Sequence, residues 1–135
     1  MNVSITDFTQ TIRKCRSKET SGFPEQWSPQ DPSSGQCLVT ALLANEFLGL
    51  SVYAEKLVFE DKKVYHYFNK DVNNEEHRFC EEQLIGKKIL YRQTERLLDT
   101  QKIATLLERK PEIKIRYEFL KQNFQQQIHS ILETR

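Results

Sequence analysis

Between Gly35 and Gly49 the chain reads QCLVTALLANEFL, and no other stretch restricts the fold as strongly. Leu38, Val39, Ala41, Leu42, Leu43, Ala44, Phe47 and Leu48 occupy nearly the full circumference of a helix, so that helix must be covered on several sides. The spacing predicts a central helix from about Ser34 to Leu48, with Ser33 or Ser34 as N-cap and Gly49 as the stop. The chain's 135 residues suffice for one domain, 1–135, with a hydrophobic core that needs no disulfide staples.

The rest of the chain reads as material to cover that helix. Ile5, Phe8, Ile12 and Cys15 recur at helical spacing and predict an amphipathic first helix ending near Ser17. Residues 18–35 hold three of the four prolines and two of the four glycines, which predicts an ordered loop pinned by the rings of Phe23 and Trp27. Three strand-like segments follow, SVYAEKLVFE, KVYHYFN and EEHRFCEEQ, separated by polar turns and expected to form an antiparallel meander. The stretch KKILYRQ fits either a fourth strand or a loop over the core. Asp99 caps a further helix, and Pro111 opens another whose Ile113, Tyr117, Leu120, Phe124 and Ile131 form one stripe, with 125–135 as a helical extension. The expected class is α+β, a buried helix on a three- to four-stranded antiparallel sheet with helices completing the shell.

Composition excludes several functions. With 20 Lys+Arg against 19 Asp+Glu the net charge is +1, which gives no long-range attraction to nucleic acid or an acidic membrane. The basic stretches KKILYRQTERLL and RKPEIKIRYEF are interleaved with acids and read as solvated helix faces, so no nucleic-acid partner is expected. No apolar run approaches the roughly 20 residues of a membrane span, and the opening MNVSITDFTQ lacks a secretory pattern, so a cytoplasmic location without membrane association is expected. Cys15, Cys37 and Cys80, odd in number and irregularly spaced, read as reduced thiols. Cys37, His66, His77 and Cys80 make a zinc-type donor set, but paired ligand spacing is absent and His77 and Cys80 would face opposite sides of a strand. No metal and no cofactor is expected.

Cys37 carries the functional expectation. It lies in the first turn of the central helix, where unpaired N–H groups and the helix dipole stabilise a thiolate. The same amides point to where an oxyanion forms in acyl transfer, and Gly35 permits close approach of a substrate. The bland alternative is a small buried apolar residue, the usual fate of a free cysteine. His66, flanked by tyrosines in the strand VYHYFN, is the candidate base.

The motifs DPSSGQCLVTALL, HYFN, FCEEQL and KIRYEFL, spread from about Trp27 to Phe124, resemble the small bacterial YunG-like family. The resemblance implies a papain-like or transglutaminase-like cysteine–histidine arrangement, with Cys37 as nucleophile, His66 as base, and Gln36, Trp27 and Asn69 in support. It supplies no substrate. Where the family pattern offers an acid to orient the histidine, this chain has Arg78. A hairpin between KVYHYFN and EEHRFC would set His77 or Arg78 across from His66, leave Asn69 on the opposite face, and place Glu76 at a diagonal. An arginine there would disfavour the imidazolium.

Two functions are therefore expected. One is a small cysteine-dependent hydrolase or acyltransferase acting on an amide or thioester in an unidentified small molecule or peptide. The other is a catalytically degenerate papain-like fold that binds a protein partner through the cleft or the last helix's stripe.

Overall fold

A computed structural model of the chain describes residues 3–22, 24–27, 35–60, 63–80 and 88–134. Helix α1 (Ile5–Cys15) starts at Ser4, whose Oγ accepts the Asp7 N–H at 3.0 Å, and buries Phe8, Ile12 and Cys15. The following loop is ordered into 3₁₀ turns at Lys18–Thr20 and Pro24–Gln26, and the Gly22 N–H closes its neck by donating to the Gly35 carbonyl at 2.9 Å. Trp27 is half-buried beside it; Phe23, Ser33 and Ser34 lie outside the described residues.

Helix α2 (Cys37–Leu48) is the predicted central helix. Its residues Val39 to Ala44 are all buried, as the apolar circumference requires. Gln36 stands at its N-cap without a capping side-chain bond, and Gly49, at φ 70°, ends it in the left-handed region.

The sheet is antiparallel, with β1 (Ser51–Val58), β2 (Lys63–Lys70), β3 (Glu76–His77) and β4 (Tyr91–Leu98) in the order β3-β2-β1-β4 among the described residues. KKILYRQ thus leads into a strand, and β4 pairs with the far side of β1 rather than extending the meander past β3. The third strand is shorter than expected, two residues, and the segment 81–87 lies outside the described residues. Asp71 tightens the β2–β3 turn: its Oδ1 accepts the N–H groups of Asn73 and Glu75 at 2.8 and 3.0 Å.

Asp99 caps α3 (Thr100–Arg109) by accepting the Lys102 N–H at 2.8 Å, and Pro111 opens α4 (Pro111–Glu133). The stripe on α4 is buried against the body as Ile113, Tyr117, Leu120, Phe124 and Ile128, with Ile131 only partly covered. Ile128 is fully buried and Leu132 packs on the core, so the last turns lie on the molecule instead of projecting from it. The main core gathers α1, α2 and α4 over one face of the sheet, represented by Val52, Ala54 and Leu98. Among the described residues, no helix is long and apolar enough to cross a membrane.

Candidate functional site

Strand parity decides the site. Asn69 Nδ2 donates to the carbonyl of Ala41 in α2 at 3.0 Å, so the face of β2 that carries Asn69 and Tyr67 is the helix-bearing face. The β1–β2 register runs without a slip from Ser51↔Lys70 to Val58↔Lys63. His66 and Phe68 therefore point to the other face, together with their cross-strand partners Glu55 and Tyr53. The Phe68 ring stacks on Tyr53 at 5.8 Å and carries the Arg78 guanidinium at 4.0 Å, as that assignment requires.

Cys37 belongs to the helix-bearing face. It is half-buried in the first turn of α2. Burial pushes the Tyr67 phenol up, and Cys37, Arg96 and Tyr65 stand near enough to act on it electrostatically. Burial lowers the Arg116 guanidinium of α4, against the opposing influence of Glu112 and Cys37. The thiol thus sits among Tyr67 and Arg116. The structure does not bring the expected pair together: Cys37 acts on Tyr67, whose side chain is on the helix-bearing face, whereas its strand neighbour His66 points to the other face.

His66 has an acid after all, from an unexpected strand. Glu55 lies directly across from it on β1, its Oε1 3.4 Å from His66 Nδ1. At 3.4 Å that contact is longer than an ordinary N–H···O hydrogen bond, and neither buried ring nitrogen has a closer partner among the described residues. Arg78 does not oppose the imidazole. Its Nη1 and Nη2 clasp the two oxygens of Glu55 at 2.6 and 3.2 Å, its Nε holds Glu76 at 2.8 Å, and Arg92 adds 2.5 Å to Glu55. Burial alone would raise the Glu55 carboxyl; His66, Arg78 and Arg92 outweigh it and hold the pKa at about 2. His77 pairs with Asn69 in register, not with His66, and its Nε2 meets Asp71 at 2.9 Å.

The residues expected in support hold the scaffold. Gln36 is fully buried, accepting from Thr20 Oγ1 at 2.6 Å and donating to the Ser17 carbonyl at 2.9 Å, so its amide ties the loop to α2 instead of facing an oxyanion. Asn69 ties β2 to α2. Trp27 stays in the loop before α2, where its N–H donates to the Pro24 carbonyl at 3.3 Å. Among the described residues, no three His, Cys, Asp or Glu side chains gather as a metal site.

The 126 residues from 4 to 129 match the family model described as YunG protein. The chain belongs to the YunG family. No similar curated protein was found, and no similar solved structure.

In this YunG-family chain a cleft of about 490 Å3 opens over β1, β2 and β4. It is lined by Ala54, Glu55, Lys56 and Tyr65 together with Arg92, Gln93 and Arg96 of β4, and the register sets Arg96 beside Ala54 and Gln93 beside Lys56 on the helix-bearing face. A register shift between Ala54 and Lys56 lets Gln93 and Arg96, three residues apart, line the same cleft. Sequence reading passed over Glu55, Lys56, Tyr67, Arg96 and Arg116. Pairing counted outward from the four-residue turn after Val58 would have found Glu55 opposite His66; Arg116 carries no comparable signal.

Proposed function

We propose that this protein works by binding, through the cleft over β1, β2 and β4, and not by Cys–His catalysis. The observation that supports this reading most is the orientation of His66, which lies with Glu55 on the sheet face away from Cys37. The α4 stripe is covered by the body's own core, and the cleft offers a surface for a small-molecule or peptide ligand. The papain-like comparison stays an architectural proposal: a helix-start cysteine above an antiparallel sheet favours it, and the averted histidine counts against it.

Iodoacetamide labelling of Cys37 across pH, mapped by mass spectrometry, tests the reading together with hydrolysis of p-nitrophenyl acetate. Cys15 and Cys80 are only 4% and 2% exposed, so labelling of the folded chain reports on Cys37. The expected result is that His66→Gln, checked for folding by circular dichroism, leaves both rates unchanged. A positioned general base contributes about 10²–10⁴-fold. A loss of that size in the folded variant restores the dyad and removes the binding reading.

A second reading has its own support in the position of Cys37 at the start of α2, beside Arg116. In it, Cys37 Sγ attacks the carbonyl carbon of an amide or thioester, the amine or thiol leaves, and N–H groups of the first turn hold the oxyanion. A burst of p-nitrophenol with an acetyl group trapped on Cys37, insensitive to His66→Gln, is its signature.

A further inference from the structure

We infer that the ligand of the cleft is a small phosphate monoester, held between Arg96 and Lys56. The inference rests on the binding reading and names the chemistry of that site.

The argument begins with charge. Glu55 and Arg92 also line the cleft, but they pair with each other, and with Arg78 and Glu76 their cluster is neutral in sum. On the helix-bearing face the balance differs. None of the ion pairs among the described side chains involves Lys56 or Arg96; Lys56 Nζ lies 5.6 Å over the Tyr65 ring. Lys56 faces Gln93 and Arg96 faces Ala54, which places the two cations on adjacent strands and on one face of the sheet, across the bulge. Both side chains line the same cleft.

The floor fits a head group as well. Ala54 stands at the centre of its row, between Tyr67 and Arg96, so a methyl group lies where its neighbours are long. The rim offers donors: the hydroxyl of Tyr65 and the amide of Gln93. The Tyr65 ring, 59% exposed, presents a face to the organic part of an ester.

Phosphate is selected over carboxylate by charge count. A phosphate monoester carries about −1.5 to −2 at neutral pH and three acceptor oxygens. That charge satisfies one guanidinium fork and one ammonium together, whereas a carboxylate would leave one cation unmatched. The cleft's size lies within the usual range for small-molecule sites, so the ligand is a small ester.

Calorimetric titration of the full chain at low salt with phenyl phosphate, benzoate, phenol and inorganic phosphate tests this. Phenyl phosphate should bind most tightly, and Arg96→Gln or Lys56→Gln should each weaken it at least about tenfold. Added salt should weaken it too. Benzoate binding as tightly as phenyl phosphate, binding undiminished in the double variant, or no saturable binding of any probe overturns the assignment. Both positions reach solvent, so the variants keep the fold, which circular dichroism checks. The Cys37 labelling experiment is untouched by these results, so a wrong ligand class and a wrong binding reading are told apart.

Discussion

Glu55 is the residue on which the averted face turns. It is 4% exposed, and burial of an unpaired carboxylate would be prohibitive, yet Arg78, Arg92 and His66 surround it with compensating charge and donors. A depressed folded-state pKa contributes stability that is present above the unfolded value, about 4.3, and is lost as pH falls toward the folded value of about 2. Glu55→Gln should therefore cost about 3–5 kcal/mol at neutral pH by leaving Arg78 without its bidentate partner. The gap between the parent and this variant should narrow as urea titrations move from pH 7 through 4 toward 2. A gap that stays constant over that window would show that the carboxylate's charge is irrelevant. Arg78 itself was legible as a departure from the family pattern, but its role was not: the sequence showed a cation near a histidine, and only the cross-strand register showed the acid between them.

At the scale of elements, α2 is fixed at both ends by different means. Its start is held by Gln36 bonded to Ser17 and Thr20, its middle by Asn69 on the Ala41 carbonyl, and its end by Gly49 in the left-handed region. A Cβ at Gly49 would meet no atom within 4 Å, so replacing it carries only the backbone penalty. Gly49→Ala should lower stability by about 1 kcal/mol, seen as a shift in urea midpoint with an unchanged slope, and Gly49→Asn by less. An unaltered midpoint in the alanine variant would argue that the helix ends elsewhere in solution. The apolar run and its glycine stop were readable because they are local. The N-cap was not, since Gln36 is held by a loop nearly twenty residues earlier in the chain.

Over the whole molecule, α1, α2 and α4 meet around Phe124, whose ring lies 5.2 Å from Phe8 and 4.9 Å from Phe47. Phe8 in turn meets Phe79 edge-on at 4.8 Å, which joins the helices to the segment after β3. Phe124→Ala removes the ring common to three helices and should cost about 3–5 kcal/mol, a large share of the 5–15 typical of a domain. Chemical denaturation would show it, and a loss below about 1 kcal/mol would mean that the three helices do not depend on a shared core. The amino-acid pattern by itself determined the α+β class, the central helix, the hairpin and the amphipathic stripe of α4, because each follows from periodicity within a segment. It also determined that His66 and Asn69 look in opposite directions. What it could not determine is which of those directions faces α2, since both faces of β2 carry buried residues and alternation is symmetric under exchange of faces. That choice belongs to packing. The hydrogen bond from Asn69 to α2 fixes it, putting Tyr67 on the side of the sheet that carries α2 and Cys37 and leaving His66 to Glu55 on the other.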